Sequence, residues 1–149
     1  MKEEQITKSI LKYLVTLGWT VISYDFPQSG TGTIIQPTHR DKRTKNKGAI
    51  IPDIIAIRSQ KVVIFENKDH FVFSDFQKID SLRTDNVYLE SFTKVLKAYT
   101  YEGLYYGVGL PDSDKAKLNT EKNKFMIDFA LFVNLDGTIS CYDPGSLFI

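Results

Sequence analysis

Two apolar runs only three residues apart, Ile50 to Ile57 and Lys61 to Phe65, constrain this chain more than any other feature. Both are short, nearly continuous in Val and Ile, and separated by Arg58-Ser59-Gln60, so they read as adjacent strands of a hairpin. Their unbroken apolar character places them in the centre of a sheet covered on both faces. Charges stand where such strands should have none. Asp53 interrupts the first run, and Glu66 and Lys68 end the second; a buried charge is costly unless it is paired or binds a metal. Side chains alternate along a strand, so Glu66 and Lys68 point one way and Asn67 the other. With Asp53 brought alongside by the neighbouring strand, two carboxylates and an ammonium converge at one sheet edge.

The rest of the chain supplies layers for that sheet. Ile6, Ile10, Leu14 and Leu17 recur at spacings of four, four and three, which predicts an amphipathic helix from Glu3 to Leu17, stopped by Gly18. Trp19 to Phe26 reads as a strand ended by Pro27, and residues 27 to 48 as one long loop. Phe76, Ile79 and Leu82 predict a helix over 74–83 with Ser74 as its cap, and Leu89, Phe92, Leu96 and Tyr99 predict another from about Val87 to Tyr99. Leu104 to Leu110 is a strand stopped by Pro111, Asp112 to Lys124 a polar connection, and Met126 to Val133 a strand. Asp136-Gly137 then turns the chain into Ile139 to Tyr142. With 42% hydrophobic and 25% charged residues in 149, this is one α/β domain spanning 1–149.

Two carboxylates at the end of a buried strand suit a hard divalent cation such as Mg²⁺, which prefers oxygen ligands and keeps several waters. Asp53 and Glu66 would hold the ion, with the backbone carbonyl of Asn67 as a further ligand. Such an ion polarises a phosphoryl oxygen and lowers the pKa of a coordinated water. Lys68 could orient that water or stabilise the extra charge of a pentavalent phosphate. The alternative role for Asp53 and Glu66 is a structural ion pair with Lys68.

Pro52-Asp53, twelve intervening residues and Glu66-Asn67-Lys68 resemble the PD-(D/E)xK motif of the restriction-endonuclease-like nuclease superfamily. The order of helix, strands carrying the acids, and a following helix resembles that family's core from residue 3 to about 110. Glu3-Glu4, Gly18-Trp19 and Ser29-Gly30 are most similar to the patterns of Holliday-junction resolvases and VRR-type nucleases. The resemblance implies a restriction-endonuclease-like core, with a mixed central β-sheet flanked by helices. It also implies a Mg²⁺-dependent DNA endonuclease, with Mn²⁺ able to substitute, that leaves a 3′-hydroxyl and a 5′-phosphate. Asp53, Glu66 and Lys68 would be the catalytic residues. Glu3, on the apolar stripe of the first helix, would be an accessory metal ligand, and Gln77 an accessory residue after the motif. Family members this small act as dimers, so a homodimer is expected. The alternative is a nucleic-acid-binding or assembly module that keeps the fold without catalysis.

Charge distribution bears on the DNA expectation. The totals, 19 Lys+Arg against 18 Asp+Glu, leave a net charge of only +1. Residues 39 to 47 nonetheless carry Arg40, Lys42, Arg43, Lys45 and Lys47 against Asp41, a local net charge of +4, so the remainder sums to −3. That run is either a solvated loop or a clamp for DNA phosphates, with His39 as a further DNA contact. Tyr105-Tyr106 and Phe71 to Phe73 could stack on bases or fill the core. The single Cys141 excludes an intrachain disulfide and a Cys-rich zinc site, which fits a reducing, cytoplasmic setting. No apolar run reaches the roughly 18 residues of a membrane span, and the N-terminus leads into a helix with no signal-peptide apolar block.

Overall fold

A computed structural model describes residues 1–26, 35 and 49–149. Six strands form one mixed sheet: β1 (Thr20–Tyr24), β2 (Ile54–Arg58), β3 (Lys61–Asn67), β4 (Gly103–Pro111), β5 (Phe129–Val133) and β6 (Ile139–Tyr142). Their order in the sheet is their order in the chain. The β1/β2, β2/β3 and β5/β6 pairs are antiparallel, whereas β3/β4 and β4/β5 are parallel. Parallel neighbours need a crossover. Helices α2 (Phe73–Thr84) and α3 (Leu89–Val95) make the first one, and α4 (Asp114–Asn123) makes the second. Helix α1 (Glu3–Thr16) precedes the sheet.

Alternation along β2 and β3 sorts the core into two layers. Ile54, Ala56, Val63 and Phe65 pack with Ile6, Ile10 and Leu14 of α1 on one face. Ile55, Val62 and Ile64 pack with Phe76, Ile79 and Leu82 of α2, Phe92 of α3 and Ala116 of α4 on the other. The same alternation carries Glu66 to the α2 face and Asn67 to the α1 face. Arg58 locks the far end, its guanidinium donating to Leu17 O at 2.8 Å and Leu147 O at 2.7 Å while lying over the Trp19 ring.

Several boundaries differ from the sequence expectation, each for a local reason. The strand expected from Ile50 begins only at Ile54, because Ile50 instead bridges Ile35 and Pro52 has no N–H to offer a ladder. The hairpin turns on Ser59 and Gln60, both at positive φ (49° and 67°), the geometry of a type I′ turn without its usual Asn or Gly. Ser74 lies inside α2, whose cap is Val72, so it is not the capping residue. The helix expected from Val87 to Tyr99 divides into a 3-10 turn at Asn86–Tyr88 followed by α3. Phe92 and Leu96 of its stripe are buried, but Leu89 and Tyr99 face solvent. Lys124–Met126 is a 3-10 turn, so β5 starts at Phe129.

The polar connection expected over Asp112 to Lys124 is helix α4. Ser113 caps it, its Oγ accepting from Ala116 N at 3.1 Å, and its buried residues are Ala116 and Thr120. A helix held by so little apolar surface leaves a faint periodicity. Among the described residues no helix is long and apolar enough to cross a membrane.

Candidate active site

Asp53 sits immediately before β2 and opposite the end of β3. Its N–H donates to Phe65 O at 3.0 Å, and its Oδ2 accepts from Asn67 N at 2.6 Å. The carboxylate thus serves as an acceptor at the point where the ladder would otherwise need a backbone carbonyl, which fixes its orientation. Register continues from the Ile54–Phe65 pair, so Asp53 faces Glu66 across the hairpin. Lys68 extends β3 by donating its N–H to Gly109 O at 3.0 Å.

Asp53 is buried and Glu66 and Lys68 are partly so, and their proton affinities report it. Asp53 is 8% exposed; desolvation, then the Glu66 carboxylate, push its pKa to about 8 despite the Asn67 hydrogen bond. Burial also raises Glu66, against the opposing pull of Lys78. Partial burial draws the Lys68 pKa down, but the fields of Asp75, Glu3, Glu66 and Asp53 together hold it above the ordinary lysine value. Lys68 therefore stays cationic at neutral pH. Glu3 reaches both Asp53 and Lys68 electrostatically from the first turn of α1, whereas Glu4 is exposed and pairs with Lys8 at 3.2 Å.

Two residues of the site had no place in the sequence reading. Lys78 Nζ stands 3.2 Å from Glu66 Oε2, and Asp75, raised by desolvation, acts on both Glu66 and Lys68. The available signal was their spacing of three on α2, which puts both on the helix face turned toward β3. Gln77, between them, is exposed. The Asn67 side chain turns away, fully buried, with Nδ2 donating to Thr7 Oγ1 of α1 at 3.1 Å.

The residues fit a divalent cation. Asp53, Glu66, Asp75 and Glu3 face Lys68 and Lys78, so with all four acids ionised, two ammonium groups would leave two negative charges in excess. Asp75 Oδ2 is buried without a hydrogen-bond partner among the described residues. All the donors are oxygens, the set that Mg²⁺ prefers, and Mg²⁺ needs only one or two protein carboxylates. Glu3 acts on this set from the first turn of α1 as a neighbouring charge, felt by both Asp53 and Lys68.

One expectation follows from the raised Asp53 pKa. Between about 4 and about 8 the folded protein holds a proton that the unfolded chain has released, so metal-free stability should fall as pH rises, by up to about 1.4 kcal/mol per pH unit. Thermal unfolding in chelator across that window measures the slope, and a melting temperature that climbs with pH would contradict it.

The other expected contacts divide. Arg40, Lys42, Arg43, Lys45 and Lys47, with His39 and Ser29-Gly30, lie outside the described residues. Tyr106 is buried in the core and Phe71 packs on Phe76 with ring centroids 4.9 Å apart, while Phe73 is exposed at the start of α2. His70 is exposed and pairs with Asp69, and Cys141 Sγ lies 3.6 Å from the Tyr13 hydroxyl. No family model, curated protein or solved structure matches the chain.

Proposed function

We propose that the chain is a Mg²⁺-dependent DNA endonuclease with a restriction-endonuclease-like core, hydrolysing phosphodiester bonds at the end of β3. The observation that carries this reading is the pairing of the Asp53 and Glu66 carboxylates across the β2/β3 hairpin, with Lys68 charged beside them. Asp53 and Glu66, with the Asn67 carbonyl, would hold the cation, and when bound it supplies Lewis-acid activation of water and offsets phosphate charge. Asn67 N–H keeps the Asp53 carboxylate aimed. Lys68, its charge maintained by four carboxylates, is placed to stabilise negative charge developing on the phosphate. Cutting both strands requires two such sites, so a homodimer belongs to the proposal. The basic run at 39–47 would supply phosphate contacts that weaken with salt.

A second reading draws on the Lys78–Glu66 contact: the acids form a structural ion pair in a module that binds nucleic acid without cutting it. Incubating supercoiled plasmid, linear duplex and branched DNA with Mg²⁺ or Mn²⁺ separates the two. Lys68→Ala is expected to slow cleavage by about 10²- to 10³-fold, the usual effect of losing one group that stabilises transition-state charge. Wild type that leaves every substrate intact, or Lys68→Ala that cuts equally well, would sink the nuclease assignment. Discrete plasmid fragments would indicate a restriction-type enzyme, and cutting confined to the branch a resolvase-like one.

A further inference from the structure

Lys78 has no part in the reaction as described, yet it makes the ion pair that holds Glu66, at 3.2 Å. Its backbone is fixed, because the neighbouring Phe76, Ile79 and Leu82 anchor α2 in the core. Lys78 lines a small, mostly apolar pocket together with Glu66, Ile50, Pro52, Ile79 and Tyr106, and a lysine's long aliphatic stem suits such a lining while its ammonium reaches a polar partner. The two partners are unequally buried: the Lys78 side chain is 37% exposed and that of Glu66 only 16%. Lysine can therefore let go without stranding its charge, whereas Glu66 cannot be left alone. A cation taking Glu66 must deprive Lys78 of the same carboxylate. The displaced ammonium, on a flexible four-carbon stem, remains on the α2 face where the substrate phosphate would arrive.

We propose that Lys78 is a resident counter-ion of Glu66 that a divalent cation displaces, and that the released ammonium becomes a second positive contact, beside Lys68, for the DNA phosphate. This rests on the nuclease reading of the same site. Lys78 already offsets part of the charge of both acids, its field opposing the rise of Asp53 and Glu66, so it occupies the electrostatic role that a cation would take over.

The test pairs Lys78→Met, which keeps the stem and removes the charge, with Lys78→Gln as a second neutral variant and Lys78→Arg as the charge-retaining control. Calorimetric titration with MgCl₂ alone, without DNA and at about pH 9 so that the carboxylates are ionised, reads the first half. The neutral variants should bind Mg²⁺ about tenfold more tightly than wild type, and the Arg variant within about twofold of it. Plasmid nicking at saturating Mg²⁺ reads the second half: the neutral variants should be about tenfold slower despite their tighter Mg²⁺. Unchanged or weaker Mg²⁺ binding in both neutral variants would overturn the counter-ion role, and unchanged nicking would overturn the phosphate contact. Wild type that binds Mg²⁺ but cuts no DNA would sink the nuclease reading, and with it the phosphate contact, leaving the displacement itself measured. Wild type that binds no Mg²⁺ would sink all of it.

Discussion

Asp53→Asn is expected to slow plasmid nicking by about a thousandfold or more while making the metal-free protein more stable at neutral and alkaline pH. The amide is nearly isosteric, and its oxygen can still accept the Asn67 N–H, so the cross-strand contact at 2.6 Å has a replacement. What disappears is a negative charge that the fold tolerates poorly: Asp53 is buried and faces Glu66, and its pKa of about 8 measures how strongly the site resists ionising it. From the ordinary carboxylate value to about pH 8, that resistance accumulates to several kcal/mol, which the neutral variant escapes. Thermal unfolding in chelator should show the variant melting higher than wild type at about pH 8, with the difference shrinking toward about pH 4. A variant that melts lower at about pH 8 would mean that the ionised carboxylate stabilises the fold, and nicking at the wild-type rate would remove Asp53 from the chemistry.

Gly107→Ala is expected to destabilise the protein by about 3 kcal/mol, or roughly 10 °C in melting temperature. In the middle of β4, a Cβ at Gly107 would run into the Phe129 carbonyl oxygen and the Phe129 ring on the paired strand β5. A backbone oxygen in a parallel ladder cannot step aside without breaking the pairing, and the ring is itself wedged against Phe65 and Phe148. Gly109, two residues on, offers a contrast. A Cβ there would meet Ile10 Cδ1 and Asn67 Oδ1, both side-chain tips, so a smaller cost and a disturbed Asn67 are the expected result. Differential scanning calorimetry of the two variants measures the gap. A Gly107→Ala protein that melts within a degree or two of wild type would contradict the close packing of β4 on β5.

Asp53, Glu66 and Lys68 were legible because a charge inside a Val/Ile run is conspicuous, and because alternation along a strand needs no knowledge of the rest of the fold. Helix α1 was legible for the same kind of reason: Ile6, Ile10 and Leu14 report one buried face. Helix α4 was not, because its sequence is dominated by Lys and Asn, and Leu118, the side chain most suggestive of a core, is exposed. What marks it is Ser113, a cap that resembles any other serine until Ala116 N–H is seen to need an acceptor. Lys78 was hidden for a different reason. Its spacing from Asp75 could be read, but which strand α2 would lie against, and hence which carboxylate Lys78 would meet, is decided by Phe76, Ile79 and Leu82 docking on the sheet. Ser59-Gln60 shows the same limit on a smaller scale, since the hairpin forces positive φ on residues that rarely volunteer for it.

Because the strands stand in the sheet in the order they occur in the chain, each can dock on the one made just before it as the polypeptide leaves the ribosome. The β2/β3 hairpin, and with it the facing Asp53 and Glu66, can form while the second half of the sheet does not yet exist. Lys68 is different: its N–H is held by Gly109 of β4, which arrives only after α2 and α3 have been synthesised and have crossed the sheet. Facing the two acids needs only the local hairpin, whereas holding the lysine backbone needs the non-local closure of β4 on β3, the kind of contact that carries the larger loop-closure cost.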